Sequence, residues 1–390
     1  MAEQIEYCEL VKHDGIDYWC PDPWIRYYVD YKGYRPCHEA LRTDTHSLSE
    51  YLNSPVLAKL KADLLNNEPN HICRKCNVHG PAGDYGSPRE NEKRQVAHMF
   101  SSKEALKEQI KIVEIRFSNL CNIKCRQCDS TWSSAIGFEE GKKDAIITTP
   151  DSVTEDFKKV ASGVEFLLIG GGEPLLHSQY FETLQYLIDI GRAKDVVIAC
   201  STNGTLNSFR AKPFAEYWKH FKQIILTVSI DSYGEQFDYW HHGANWDKVI
   251  ANVDYYKSIE NVTVDFHGAI NWVTLFSALK AYKYIKDRYG NEILFNRFHP
   301  FWSKLDMSTM PTEMKPLAES KIREMQSISG DSYTGDIMKN RFENIIEYMY
   351  ERDTSSLAVD CLREQLRLDA IRGTDFFKTF PEYKSLQTLV

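Results

Sequence analysis

The sequence predicts an α/β fold: a parallel sheet with helices packed outside it, preceded by a small cysteine-bearing module and followed by a helical extension. Three observations predict it. Six apolar runs read as strands: IVEIRF (112–117), VEFLLIG (164–170), VVIACST (196–202), IILTVSI (224–230), VTVDFHGAI (262–270) and EILFNRF (292–298). Segments long enough for crossover helices separate them, among them SQYFETLQYLIDIGRA and WDKVIANVDYYKSIE. The pattern starts only near residue 110 and stops near 306. Periodicity fits an open doubly wound sheet and a partly closed barrel equally well.

The elements before the core follow from local signals. Trp24 to Arg35 is rich in aromatic and β-branched residues, and Lys32-Gly33 supplies a turn, so a β-hairpin is expected there with Cys20 and Cys37 flanking it. Ser54-Pro55 gives an N-cap and a first-turn proline. Val56, Leu57, Leu60 and Leu64 then recur at helical spacing and lead the chain toward Cys73 and Cys76. The turn-rich stretch HGPAGDYGSP, 79–88, reads as a boundary. The expected organisation is therefore a module over 1–88, a core over 89–305 and an extension over 306–390. In the extension, MKNRFENIIEYMYERD places Phe342, Ile345, Ile346 and Met349 on one helical face.

Composition narrows the function classes. The 390 residues are 43% hydrophobic, enough for a packed core, and carry a net charge of −8. That balance disfavours an electrostatic grip on nucleic acid or an anionic membrane. No apolar run is long enough to span a bilayer, and the first residues have neither the positive end nor the apolar stretch of a signal peptide. A cytoplasmic location is the expectation. Ten cysteines in such a compartment point to metal or redox chemistry rather than to disulfides. Four lie early, at Cys20, Cys37, Cys73 and Cys76; three form a triplet at Cys121, Cys125 and Cys128. Cys8, Cys200 and Cys361 stand apart, and the last two read as small buried apolar side chains.

The triplet sits in RFSNLCNIKCRQCDSTW, just beyond the first core strand. Parallel α/β folds gather reactive groups at the carboxyl ends of their strands. Three thiolates so closely spaced can wrap one iron–sulfur cube, whose fourth iron then lacks a local cysteine and keeps an open position. CNIKCRQC resembles the CxxxCxxC signature of the radical S-adenosylmethionine (SAM) superfamily. The resemblance implies a catalytic [4Fe–4S] cluster on Cys121, Cys125 and Cys128. It also implies SAM chelated to the open iron and reductive cleavage to a 5′-deoxyadenosyl radical that takes hydrogen from a substrate. The fold it implies is a partial (β/α)6 TIM-like barrel.

Further positions fit the same family. GGGEP follows the second strand, and the superfamily's GGEP motif maps onto Gly171, Gly172, Glu173 and Pro174, which would bind the methionyl amino group. Alone, these residues read more readily as a tight βα turn. STNG (201–204) and SID (229–231) resemble polar strand ends that contact the ribose and carboxylate of SAM, so Ser201, Asn203, Ser229 and Asp231 join the expected site. Their alternatives are a turn at Asn203-Gly204 and an N-cap at Asp231. Asn271 and His299, at the fifth and sixth strand ends, carry less signal. One departure stands out: the residue before the last cysteine is often aromatic in the family, where it contacts adenine, and here it is Gln127.

Cys20, Cys37, Cys73 and Cys76, around a hairpin and a helix, resemble the auxiliary-cluster modules called SPASM or twitch domains. These usually follow the core; a preceding module is similar to that of twitch-domain radical SAM proteins, many of them from phages. The resemblance implies an auxiliary [4Fe–4S] cluster, for which four-thiolate zinc is the alternative. It further implies a peptide or small-molecule substrate and an electron donor such as flavodoxin or ferredoxin, without nucleic acid or membrane. The rival readings are an iron–sulfur electron carrier or redox sensor that leaves SAM intact, and a zinc-stabilised interaction protein.

Overall fold

The computed structural model describes residues 17–73, 76, 93, 96–99, 109–297 and 304–390. Cys8, His299 and the expected boundary at 79–88 lie outside the described residues. The chain enters at a short helix α1 (Asp22–Ile25) and runs into a hairpin, β1 (Arg26–Asp30) and β2 (Gly33–Arg35), with Asp30 opposite Gly33. Gly33 has φ +114°, and a side chain there would collide with the Thr45 carbonyl, which is why the turn carries glycine. Helix α2 (Leu48–Leu52) is capped by Ser47, and α3 (Pro55–Leu65) by Ser54, whose hydroxyl accepts from Leu57 N–H; α3 buries Leu57, Leu60 and Leu64.

The core strands are β3 (Ile112–Arg116), β4 (Phe166–Gly170) and β5 (Val197–Thr202), a two-residue ladder β6 (Ser208–Phe209) with β7 (Lys212–Pro213), then β8 (Gln223–Ser229), β9 (Val262–Ile270) and β10 (Ile293–Arg297). The helices between them are α4 (Ser134–Glu139) and α5 (Ser152–Val160), α6 (Ser178–Asp189), α7 (Ala215–Trp218), α8 (Gly234–Trp240) and α9 (Trp246–Lys257), and α10 (Leu275–Tyr289). The sheet order is β10-β9-β8-β5-β4-β3-β1-β2, parallel except for β2. From β3 onward each new strand adds to the same edge. A doubly wound sheet would reverse its order at a switch point; a steady order with right-handed crossovers puts every helix on one face. The fold is a partial TIM-like barrel.

The sheet's two faces have different chemistry. Val113, Ile115, Leu167, Ile169, Ile198, Leu226 and Val228 are buried under the helices. Alternate residues point to the lumen, and there Leu168, Gly170, Ala199, Thr227 and Ser229 are only half-buried. A polar, partly open lumen is where a substrate can enter.

The amino-terminal hairpin joins the core sheet. β1 pairs in parallel with β3, from Arg26 opposite Ile112 to Val29 opposite Ile115, so the hairpin extends the barrel wall. Only pairing across more than eighty residues reveals this; the hairpin's local sequence is the same whether it stands alone or joins a sheet. The carboxyl-terminal extension is helical as expected: α11 (Lys315–Ile328), α12 (Tyr333–Glu351), α13 (Ala358–Arg372) and α14 (Phe376–Thr379). Helix α12 buries Phe342, Ile345, Ile346 and Met349 and lies against β10 and α11. Among the described residues no helix is long and apolar enough to cross a membrane.

Candidate active site

The cysteine loop leaves the carboxyl end of β3 and is fixed on all sides. Asn119 ties it together: its amide donates to the carbonyls of Ser130 and Ala145 at 3.0 and 2.9 Å, and its oxygen accepts from Ile147 N–H. The Ser133 hydroxyl donates to the Ile123 carbonyl, and the Cys121 amide donates to the Ser134 hydroxyl. From below, the end of α8 supports the loop through Lys124 N–H to the His242 carbonyl at 2.8 Å and Arg126 N–H to the Trp240 carbonyl at 2.9 Å.

This loop gathers the three thiols. Burial pushes all three up, Cys128 to about 12, and each of Cys125 and Cys128 also feels neighbouring thiols of the triplet. None is in a disulfide. The donor set fits an iron–sulfur cube: soft sulfur ligands, mutually close, on one loop, with loading expected to release their protons. Among the described residues no three His, Cys, Asp or Glu side chains are packed tightly enough to hold a single ion. A four-iron cube holds its thiolates on separate corners, further apart than a single ion does.

The GGGEP turn is bonded directly to this loop. Gly172 N–H donates to the Ser118 carbonyl at 2.9 Å and Glu173 N–H to the Leu120 carbonyl at 2.7 Å. A side chain at Gly171, where φ is +124°, would stand 2.4 Å from the Ser118 carbonyl oxygen, and one at Gly172 would stand 2.3 Å from that of Leu120. Both glycines therefore follow from close approach of two backbones. Pro174 opens the next helical turn and is buried.

Glu173 is fully buried, and its carboxylate accepts from Thr202 Oγ1–H at 2.8 Å, Asn203 N–H at 2.7 Å and Leu175 N–H at 3.2 Å. It clasps the end of β4 to the end of β5. Burial pushes the carboxyl up to about 7, against these three donors, which lower it. A carboxyl raised on folding binds its proton more tightly in the native state than in the unfolded chain. Its contribution is therefore most favourable below about 4.5 and declines as pH rises toward about 7, by up to about 3 kcal/mol. Glu173→Gln, neutral at every pH, is expected to remove that decline. Urea unfolding of both proteins at pH 5 and pH 8 reads it; equal pH dependence in the two would contradict it.

The other expected residues fall around the same strand ends. Asn203 donates through Nδ2 to Asn122 Oδ1 at 2.9 Å, with Cys121 Sγ 4.0 Å away. Ser201 and Ser229 stand on lumen-facing positions of β5 and β8. Asp231 is buried and internally committed: it accepts from Gln127 Nε2 at 2.6 Å and from Ala269 N–H, and faces His241 Nε2 at 3.0 Å. Gln127, in place of the family's aromatic, has both ends of its amide engaged, since its oxygen accepts from Trp240 Nε1–H. Asn271 is a local cap, accepting from Val273 and Thr274 N–H. Cys200 is buried on the helix-covered face, and Cys361, on α13, lines a cavity of about 400 Å³ that Cys125 and Cys128 also border.

Sequence reasoning missed two contributors. His241 stands 3.3 Å from Cys125 Sγ through Nδ1 and stacks on Phe237, linking the loop to Asp231. Arg126, between two thiols of the triplet, is buried against the extension, donating to Asp369 at 2.6 Å, to Gln365 and to Thr374, with its guanidinium 3.6 Å from the Tyr239 ring centre. His241 lies in no motif, and Arg126 occupies an unspecified position of CxxxCxxC.

The amino-terminal cysteines also converge. Cys20 precedes α1, Cys37 follows β2, and Cys73 closes a 3-10 turn (His71–Cys73). Burial raises the thiols of Cys20 and Cys37; Cys20 also feels Cys37 and Cys73, and Cys37 feels Cys73 and Cys76. Cys37 thus stands within electrostatic reach of the other three.

Residues 115–274 match the model of the Radical SAM superfamily. That span takes in the cysteine loop, the glycine turn and the ends of β3, β4, β5, β8 and β9. GTP 3′,8-cyclase of Alkaliphilus oremlandii is 27% identical over 154 residues, 39% of this chain and 45% of the relative. The Aquifex aeolicus enzyme of the same name is 30% identical over 124 residues, 32% of this chain and 36% of the relative. The chain spans less than half the length of these curated relatives. Among solved structures, anSMEcpe with bound AdoMet gives a TM-score of 0.39 at 20% identity, covering 56% of this chain and 60% of that one. Streptococcus suis SuiB bound to S-adenosylmethionine gives 0.37 at 14%, covering 76% and 62%.

Proposed function

We propose that the protein is a radical SAM enzyme, with Cys121, Cys125 and Cys128 holding the catalytic [4Fe–4S] cluster and the turn Gly171–Pro174 receiving the methionyl end of SAM. The observation that carries this reading is the pair of backbone hydrogen bonds from Gly172 and Glu173 to the cysteine loop. They make the cluster-holding and SAM-holding segments one unit, which an electron carrier has no reason to build. When bound, the cluster and SAM supply one-electron cleavage to methionine and a 5′-deoxyadenosyl radical able to abstract hydrogen from a substrate.

The chain's own residues position and enclose. Asn119 and Ser133 hold the loop in shape, and Glu173 sets the distance between the β4 and β5 ends. Ser201, Asn203, Ser229 and Asp231 are the polar rim for the nucleoside side, Asp231 by fixing Gln127 and His241. Cys20, Cys37, Cys73 and Cys76 are read as holding an auxiliary [4Fe–4S] cluster of the twitch or SPASM type in place of zinc. With four protein thiolates such a cluster has no open iron, which suits electron transfer or support of the fold. The substrate is read as a peptide or protein from that resemblance; the relatives named as GTP 3′,8-cyclases take a nucleotide, which keeps a small molecule as the second candidate. A flavodoxin or ferredoxin would supply the electron, in the cytoplasm.

Anaerobic reconstitution with iron and sulfide, then dithionite, SAM and product analysis, tests the proposal. It is expected to give about eight irons per chain and 5′-deoxyadenosine with methionine. An iron-loaded protein that leaves SAM intact would overturn it.

A further inference from the structure

Resting on the reading of this site as catalytic, a second recognition element stands in the lumen wall beside it. Tyr28 on β1 faces Arg35 across the hairpin and Glu114 across the parallel pair, so all three lie on the lumen face, with Arg116 two residues further along β3. The Arg35 guanidinium lies 3.9 Å from the Tyr28 ring centre. The Arg116 guanidinium lies 5.4 Å from the same ring and 5.1 Å from that of Trp132. Cation and aromatic alternate from the sheet edge to the cysteine loop: Arg35, Tyr28, Arg116, Trp132. Trp132 comes four residues after Cys128 and is 41% exposed.

Among the described residues Arg116 has one ion pair and no hydrogen bond, and its Nε–H is buried without an acceptor among them. Its ion-pair partner is Glu114 at 3.7 Å, too long for a hydrogen bond. Glu114 is also shared: His38 Nδ1 stands 3.5 Å from it. Contact with Glu114 and then Glu39 raises His38 to about 9, so His38 is a cation at neutral pH. Among the described residues Arg35 has no carboxylate within ion-pair distance and donates to the Ala40 carbonyl. The wall therefore carries more cationic than anionic charge. The Arg116 stem lies across Gly170 at the end of β4, within van der Waals contact of where a side chain would stand. Cation–π contact with two rings positions a guanidinium, whose terminal nitrogens can grip an oxyanion with two hydrogen bonds.

We propose that Arg116, held between Tyr28 and Trp132, recognises the substrate by an anionic group, a carboxylate or a phosphate, beside the cysteine loop. Tyr28 and Arg35 carry the ladder from Arg116 toward the hairpin edge, away from the β4 turn, and on that ground the anion is assigned to the substrate and not to the methionyl carboxylate of SAM.

Equilibrium dialysis of the full chain, clusters reconstituted, against radiolabelled inorganic phosphate at low ionic strength tests this without reduction or turnover. One saturable site is expected, weakened about tenfold or more by Arg116→Gln, since a charge-assisted pair is lost. The half-exposed Trp132→Ala should weaken it severalfold, and Arg323→Gln, on the outer surface, should leave it unchanged. Displacement by acetate as well as methyl phosphate marks a carboxylate site; displacement by methyl phosphate alone marks a phosphate site. Absence of saturable binding, wild-type binding by both Arg116→Gln and Trp132→Ala, or displacement of phosphate by SAM would each overturn the proposal. The phosphate result does not depend on whether the wild-type protein cleaves SAM, so the two readings fail separately.

Discussion

Replacing Cys121, Cys125 and Cys128 together by alanine is expected to cut 5′-deoxyadenosine formation by about a thousandfold or more, because the variant lacks the electron source for the bond that breaks. The same variant should lose about four of about eight irons, since the amino-terminal thiols stand on other elements and keep theirs. The fold should survive. Asn119, Ser133 and the backbone contacts to Trp240 and His242 hold the loop without any thiol. Iron analysis and product chromatography on the one preparation check both halves. Retained cleavage would place the cluster elsewhere; loss of all iron would mean that the two cysteine groups are not independent.

Asp369→Ala is expected to destabilise the protein by about 3–5 kcal/mol, the cost of leaving a buried cation without its partner. Arg126 has a side chain 0% exposed and Asp369 one 8% exposed, and they meet at 2.6 Å. Asp369 also accepts from the Tyr239 hydroxyl, Thr374 and Phe376 N–H, so its loss strands several donors. Arg126 lies between Cys125 and Cys128, and helix α13 therefore braces the cysteine loop from a position 243 residues away. Iron retention should fall along with stability. The contrast is Glu364→Ala, which breaks an exposed pair with Arg367 and should cost about 0–1 kcal/mol. Urea unfolding of both variants reads the difference; a loss below about 1 kcal/mol for Asp369→Ala would show that solvent reaches Arg126.

The six core strands were legible because each is an apolar run bounded by turn formers, and their observed limits fall within two residues of the expected ones, as for 262–270. The choice between open sheet and barrel was not legible, since it depends on the order in which strands pair. Likewise β1 reads as half of a hairpin, and nothing in RYYVD announces its pairing with IVEIR. At the site, Cys121, Cys125, Cys128 and GGGEP were legible because chemistry fixes their spacing and close approach fixes their glycines. His241 and Arg126 were not: each is an ordinary residue locally and acquires its role from partners far along the chain. Asn271 shows the converse, a polar strand end that serves only to cap the next turn.

The account depends on a cube held by three thiolates keeping one corner open to an amino acid. Electron paramagnetic resonance of the dithionite-reduced protein, with Cys20, Cys37, Cys73 and Cys76 replaced so that only the triplet cluster contributes, tests this most directly. Adding SAM is expected to shift the g-values, and SAM carrying 15N in its amino group should add a hyperfine coupling to the cluster signal. An intact cluster signal that SAM leaves unchanged would contradict the account.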